Sequence, residues 1–280
     1  MEKSLEKKYE ALVANIAKYD NALIAFSGGV DSSLVAFVAG QTLGEKSLAV
    51  TSASASLKRA DLELSEQLAE ALGIRHRVIV TKELSKREYT SNPTNRCFYC
   101  KTSLYEELAV ISQNDGFEVM LNGTNVDDLG DYRPGLEAAK NFKVASPLVE
   151  CGFSKTDIRS LASSLGLSNA QKPQAACLSS RFPYGTEITV ELLRRVEAAE
   201  EVLQNQGFSQ FRVRHHGDLA RLEILISEFP KMFQNFTEVE KEIKAAGYRH
   251  VTLDLAGFRS GSLNEGLNLN TIDIKAVTHS

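Results

Sequence analysis

Ala22-Leu23-Ile24-Ala25-Phe26-Ser27-Gly28-Gly29-Val30-Asp31-Ser32-Ser33 opens with five apolar residues and closes on two glycines, an acid and a pair of hydroxyls. The apolar run predicts a buried strand, and Leu34, Val35 and Phe37 continue as the apolar face of a helix. Gly28 and Gly29 let the backbone turn tightly and approach a ligand with no Cβ in the way. The N–H groups of the first helical turn, with the hydroxyls of Ser27, Ser32 and Ser33, then make an anion site. Asp31 is out of place there, because a carboxylate repels phosphate unless a cation lies between them. A bound Mg²⁺ resolves the conflict, so the loop suits metal-chelated polyphosphate. A plain glycine turn capped by Ser27 would need neither consecutive glycines nor an inward acid.

Ser27-Gly28-Gly29-Val30-Asp31-Ser32 resembles the SGGxDS loop of the PP-loop ATP pyrophosphatases, the group of GMP synthetase, NAD synthetase and the tRNA thiolases. The resemblance implies cleavage of ATP between its α and β phosphates to adenylylate a carbonyl oxygen, followed by displacement of AMP. The Walker A spacing with its Lys is absent, which argues against γ-phosphate transfer. The loop specifies the chemistry and says nothing of the substrate.

A chain of 280 residues with 43% hydrophobic residues can bury two cores, and one large plus one smaller domain is the expectation. Its net charge of −4 argues against a nucleic-acid partner, since polyanion binders carry a basic excess. Residues 1–19 are charged and helical in pattern, and no apolar run is long enough to span a membrane, so a cytoplasmic protein with no membrane partner is expected. Four cysteines in a reducing compartment point to metal binding or catalysis rather than disulfides.

Outward from the loop, strands are expected at Ser47–Thr51, His76–Val80, Val119–Gly123 and Val144–Leu148, alternating with helices. That alternation predicts an α/β fold, a doubly wound parallel sheet. Ser52, at the exit of the second strand, falls near where a nucleotide base would sit. Gly123-Thr124-Asn125-Val126-Asp127-Asp128 and Asp131-Tyr132-Arg133-Pro134-Gly135 follow the fourth strand and resemble loops of the same enzymes, which places Gly123 and Thr124 at the nucleotide. Ser91 to Lys101 reads as a turn-rich entry to a helix around Leu104 to Ile111. Lys172 to Gly185 has no period and reads as a linker or active-site loop, with a domain boundary near Gly185. Residues 1–185 would form the ATP pyrophosphatase domain, and residues 186–280 a smaller αββαβ module.

Cys97 and Cys100 form a C-x-x-C, a spacing used by zinc, by redox pairs and by iron–sulfur clusters. Cys177 lies in an irregular, Arg-containing loop. Three thiolates, Cys97, Cys100 and Cys177, can hold a 4Fe-4S cluster and leave one iron open for a sulfide. Cys151 reads as a small buried hydrophobe. Arg212 and Arg214 share one side of a strand and suit a phosphate, though an edge strand facing solvent would show the same spacing. Arg259 is a third candidate, and Arg181 can orient a substrate carboxylate or the adenylate. Glu200 and Glu223 contact metal, fix the arginines, or are ordinary charges on a helix and a strand. His215 and His216, adjacent on a strand, face opposite ways and do not share a metal.

Ala176-Cys177-Leu178-Ser179-Ser180-Arg181-Phe182-Pro183-Tyr184-Gly185, Arg212-Val213-Arg214-His215 and Val251-Thr252-Leu253-Asp254-Leu255-Ala256-Gly257-Phe258-Arg259-Ser260-Gly261 together resemble the LarE family. That resemblance spans almost the whole chain. It implies ATP-dependent sulfur transfer to the carboxylates of pyridinium-3,5-biscarboxylic acid mononucleotide, which builds the thiocarboxylic acid precursor of the nickel-pincer nucleotide, the lactate racemase cofactor. It also implies a homo-oligomer based on trimers. Members with a lone loop cysteine sacrifice its sulfur, whereas members with an added C-x-x-C resemble an Fe-S type that takes sulfide or a sulfide donor repeatedly. Cys97 and Cys100 place this chain with the second type, with Cys177 as sacrificial donor the alternative. A tRNA thiolase would need a basic surface and an RNA-binding appendage. An ammonia- or glutamine-dependent amide synthetase would leave the loop cysteines without a role, and a non-enzymatic nucleotide-binding module would release no pyrophosphate.

Overall fold

A strand that is apolar on both faces belongs in the middle of a parallel sheet covered by helices. The computed structural model describes residues 3–130, 134–173, 176–259 and 261–264. The chain runs α1 (Lys3–Ile16), β1 (Ala22–Ala25), α2 (Val30–Leu43), β2 (Ser47–Ser52), α3 (Arg59–Ala71), β3 (His76–Ile79), α4 (Arg87–Thr90), α5 (Arg96–Asp115), β4 (Val119–Leu121), α6 (Pro134–Asn141), α7 (Pro147–Glu150) and α8 (Lys155–Ser164). It continues through α9 (Val190–Asn205), β5 (Phe211–His216), β6 (Leu219–Ile224), α10 (Phe229–Ala245) and β7 (His250–Leu253). Two compact units result, Met1–Ser179 with Tyr184–Leu193, and Ser180–Pro183 with Arg194–Ser280.

In the first unit β1 pairs in parallel with β2 on one side and β4 on the other, and the strand order is β3-β2-β1-β4. Side-chain alternation along β1 supplies both layers. Ala22 and Ile24 join a core with Leu12 of α1, Leu34 and Val38 of α2, and Leu161 of α8. Leu23 joins Leu48 and Val50 of β2 with Tyr105 and Leu108 of α5 on the opposite side. The doubly wound α/β architecture expected from the strand–helix alternation is thus present. The strand order reverses between β1 and β4, and the loops leaving their C-terminal ends meet at that switch point.

Two expectations are corrected. Val144–Leu148 is not a full strand: Ala145 bridges Leu121 alone, and Pro147 instead opens α7. Proline has no N–H for a sheet ladder, yet its fixed φ suits the first turn of a helix. The C-x-x-C is not in a turn-rich entry either, because α5 begins at Arg96 and carries both cysteines in its first two turns. The side chains of Phe98 and Leu104, packed against the second core layer, anchor that early start.

In the second unit, β5 and β6 form an antiparallel pair turning at Gly217, where φ is +64°, and β7 adds in parallel to β6. The expected αββαβ order is present as α9, β5, β6, α10 and β7. His215 of β5 is buried, bonds the Tyr248 hydroxyl at 3.1 Å and stacks near Phe182. His216 is exposed, as the alternation requires. Burial, reinforced by the charges of Arg195 and His216, lowers the His215 pKa to about 4, against an ordinary value near 6.5. Between those values the unfolded chain binds a proton that the native chain refuses, so stability falls as pH drops through this window. The limiting loss is about 3 kcal/mol at about 1.4 kcal/mol per pH unit. Unfolding midpoints measured from pH 7 to pH 4 should show this decline, and His215→Gln should flatten it.

Candidate active site

The loop after β1 is held by its own hydroxyls and by close packing. Gly28 takes φ +68°, and a Cβ there would lie 3.1 Å from the Ser65 side chain. Gly29 caps α2 in an extended conformation, leaving the first N–H groups of the helix to an anion. The Ser32 hydroxyl donates to the Gly29 carbonyl at 3.0 Å and lies 3.1 Å from the Ser27 hydroxyl. Ser33 is turned inward, fully buried, and its hydroxyl accepts a hydrogen bond from Asn169 at 2.9 Å.

The Gly123 loop closes over this turn. A Cβ on Gly123 would stand 2.6 Å from the Ser32 backbone nitrogen, a separation that side-chain adjustment cannot relieve. Gly123→Ala should therefore displace the phosphate loop by roughly an ångström and lower the ATP-dependent rate about 100-fold. Steady-state pyrophosphate release checks this. Thr124 is fixed through its backbone N–H, which donates to Asn122 Oδ1 at 3.0 Å. Ser52 shares a 2.6 Å hydrogen bond with Thr81 at the β2 exit. Asp131, Tyr132 and Arg133 lie outside the described residues.

Asp31 makes one ion pair, from Oδ2 to the Lys155 ammonium, while its Oδ1 is buried with no hydrogen-bond partner among the described residues. An orphaned carboxylate oxygen beside an anion loop is where a divalent cation finds a ligand, so the residues present fit Mg²⁺. Lys155 sits at the first position of α8, with its backbone N–H donating to Asp127 Oδ2 at 2.7 Å. Ser154 and Asp157 cap the same helix reciprocally. A lysine at a helix N-terminus opposes the helix dipole, and that mismatch was the available sign that Lys155 serves something other than the helix.

The cysteines of interest belong to the same unit. Cys97 is exposed, Cys100 and Cys177 are half-buried, and all are reduced thiols. Burial pushes the Cys100 thiol up to about 12, against the pull of the Lys101 ammonium and with the help of Cys177, Glu83 and Cys97. Although Cys97 reaches the surface, the protein around its thiol still raises it, with Cys177 adding to the effect and Arg96 opposing it. Cys177 therefore lies within electrostatic reach of both members of the C-x-x-C. Among the described residues, no three His, Cys, Asp or Glu side chains are gathered closely enough to hold a metal ion as they stand. Cys151 is half-buried against the first core layer, a packing residue as its sequence context suggests.

Polar residues tie the Cys177 loop to its own unit. The Leu178 N–H donates to the Ser56 carbonyl at 2.8 Å, and the Ser179 hydroxyl lies 2.6 Å from the buried Tyr89 hydroxyl. Arg96, also buried, bonds Asn92 and stacks on Tyr184. Tyr89, Asn92 and Arg96 carry no motif of their own, and sequence reasoning passed over them.

The second unit gathers the arginines. Arg181 and Glu200 are both 1% exposed and joined by two hydrogen bonds, of 2.8 and 2.9 Å. Glu200 also accepts the Val213 N–H at 3.1 Å. Arg214 pairs with the fully buried Glu223 at 2.8 Å and donates to the Ser180 carbonyl at 2.7 Å, yet its Nε is buried without a partner. Glu223 also takes Arg221 at 3.1 Å. Of the roles open to the glutamates, the geometry shows them fixing arginines. Arg212 makes no carboxylate salt bridge among the described residues and stacks 5.1 Å over Phe258. Burial first, then the neighbouring Arg181 charge, with Arg214 also contributing, brings Arg212 down to about 10. A guanidinium crowded by its own kind is stabilised by a bound anion. Arg259 belongs to the same unit, and Ser260 lies outside the described residues.

Residues 18–125, which hold the phosphate loop, the β2 exit and Gly123, match the asparagine synthase family. Pyridinium-3,5-bisthiocarboxylic acid mononucleotide synthase of Lactiplantibacillus plantarum is 37% identical over 265 residues, covering 94% of this chain and 96% of that protein. The chain belongs to the LarE family of ATP-dependent sulfurtransferases. An uncharacterised Synechocystis sp. protein is 44% identical over 265 residues, 94% of this chain and 99% of its own length. A Methanocaldococcus jannaschii protein is 34% identical over 169 residues, 60% of this chain and 66% of that one. In this LarE-family chain the first unit carries both the phosphate loop and the three thiols, and the second carries the arginine cluster. Among the described residues no helix is long and apolar enough to cross a membrane.

Proposed function

We propose that this protein adenylylates the carboxylates of pyridinium-3,5-biscarboxylic acid mononucleotide and replaces oxygen by sulfur, giving the thiocarboxylic acid precursor of the nickel-pincer nucleotide. The observation that carries the reading is the end-to-end match to a synthase of the bis-thiocarboxylic product, in a chain that keeps an ATP loop and three thiols within one unit. The same match weighs against a tRNA thiolase.

Ser27, Gly28, Gly29, Ser32 and the N-terminus of α2 receive the pyrophosphate portion of ATP, and Asp31 Oδ1 would hold Mg²⁺. Lys155, paired to Asp31 Oδ2, keeps a cationic charge beside the anion loop. Substrate carboxylate attacks the α-phosphorus, and pyrophosphate leaves with the electron pair of the broken P–O bond. In the second step sulfur of a hydrosulfide attacks the acyl carbon, a C–S bond forms, the C–O bond to AMP breaks, and the S–H proton is released. AMP leaves as the phosphate anion, so charge and atoms balance for each carboxylate converted.

Cys97, Cys100 and Cys177 would hold a 4Fe-4S cluster once the three thiols are drawn together: Cys177 already lies within electrostatic reach of Cys97 and Cys100, and three thiolates serve three irons and leave the fourth open. When bound, such a cluster supplies a renewable site for sulfide. The alternative is Cys177 giving up its own sulfur. Arg212 and Arg214 would take the substrate phosphate, supported by the crowded Arg212 charge and the unpartnered Arg214 Nε, with Arg259 a third contact and Arg181 orienting the carboxylate or adenylate. A homo-oligomer based on trimers, in the cytoplasm, completes the reading, and light scattering checks the assembly. The direct test is anaerobic reconstitution with iron and sulfide followed by turnover. Iron bound in a ratio near four per chain, lost in Cys97→Ala, supports the cluster. Protein that binds no iron and loses one sulfur per turnover returns the account to sacrificial Cys177.

A further inference from the structure

We propose that Asn169 is a positioning residue for ATP, one that aims the Gly29 N–H at the pyrophosphate by holding the other side of the same peptide plane. Asn169 lies beyond α8, far from the phosphate loop in sequence, and is 4% exposed. Its Nδ2 donates to the Gly28 carbonyl at 2.9 Å and to the Ser33 hydroxyl at 2.9 Å. The amide orientation is fixed by chemistry, since a carbonyl oxygen accepts only from the NH₂ side.

In a trans peptide the C=O and the following N–H point in opposite directions, and no cis bond occurs among the described residues. Drawing the Gly28 carbonyl inward therefore turns the Gly29 N–H outward. That N–H has only a long 3.4 Å contact with the Ser27 hydroxyl, so its donor capacity is still available. Gly28, at φ +68°, is a residue whose peptide planes rotate easily, and without a lock the loop would sample orientations that face the carbonyl toward the ligand. A carbonyl oxygen turned toward polyphosphate would repel it.

A second observation marks the residue as more than packing. Asn169 Oδ1 is buried with no hydrogen-bond partner among the described residues. A buried acceptor left unpaired is costly, and an apolar residue would fill the space without that cost. The chain keeps an amide here for its two donors. Asn169 also joins the first turn of α2 to the loop, since Ser33 and Gly28 are bridged by a single NH₂ group.

The inference rests on the reading that this loop takes the pyrophosphate of ATP, and the experiment separates the two. Calorimetric titration with inorganic pyrophosphate and with AMP, each with Mg²⁺, is run on wild-type protein, Asn169→Ala and Asn169→Asp. Wild-type protein that fails to bind pyrophosphate overturns the loop assignment itself. If it binds, Asn169→Ala should weaken pyrophosphate about tenfold while AMP affinity changes less than twofold. Asn169→Asp, which keeps the shape but loses the donors and brings a charge against the Gly28 carbonyl, should weaken pyrophosphate further. Equal loss for both ligands, or no loss for either, overturns the proposal. So does failure of both variants to fold by circular dichroism, which would make Asn169 a folding residue.

Discussion

Replacement of Cys177 by Ala is expected to abolish sulfur incorporation, by at least about 10³-fold, while pyrophosphate release on mixing ATP and substrate persists. The ATP loop, Asp31 and Lys155 are built by β1, α2 and α8, and none of them takes its position from the Cys177 side chain. The Cys177 loop is anchored through the Leu178 N–H and the Ser179 hydroxyl, neither of which the substitution touches. The variant should therefore fold and adenylylate but leave the adenylate to water. Both sulfur routes require Cys177, so this variant tests sulfur transfer itself rather than the choice between routes. An amide synthetase, by contrast, would tolerate the change. Quantifying pyrophosphate and thiocarboxylate in the same reaction gives the ratio.

Glu200→Ala should be the most damaging change to stability. Glu200 neutralises Arg181 through two hydrogen bonds in a site where each residue is 1% exposed, and it accepts the Val213 N–H as well. Removing one partner of a buried pair leaves the other charge without compensation, at about 3–5 kcal/mol. The freed arginine would also stand near Arg212, whose pKa already reflects the Arg181 charge. Chemical denaturation should record the loss, and Glu200→Gln, which keeps hydrogen-bonding atoms but loses the charge, should fall between wild type and Ala. Unchanged stability in both variants would contradict the observed pairing.

Much of the first unit was legible because its signals are local. Apolar alternation in β1, the Gly28-Gly29 turn and the α2 face lie within a short stretch, and strand–helix alternation gave the doubly wound sheet. Pro147 carried its own warning against a fifth strand, since a helix start and a broken ladder follow from the same missing N–H. The start of α5 was harder, because Arg96-Cys97-Phe98-Tyr99-Cys100 has no strong helical period, and the buried Tyr105 and Leu108 further along decide it. The pairings of Lys155 and Asn169 were hidden for a different reason: their partners Asp31 and Gly28 lie 124 and 141 residues away, and no spacing rule connects such positions, so the dipole mismatch at Lys155 marked the residue but not its partner. In the second unit the alternation of Arg212 and Arg214 was readable, but which arginine Glu223 holds depended on the β5–β6 register, where it faces Arg212 and yet bonds Arg214 diagonally, while Glu200 reaches Arg181 from α9.

ATP activation and thiol-borne sulfur are expected to converge on one carboxylate. Mass spectrometry of the small-molecule product and of the intact protein after a single turnover, on protein reconstituted with iron and supplied with sulfide, tests it directly. The expected result is one oxygen exchanged for sulfur per AMP formed, with the mass of the polypeptide unchanged. Stoichiometric AMP and pyrophosphate with no sulfur in the product would contradict it.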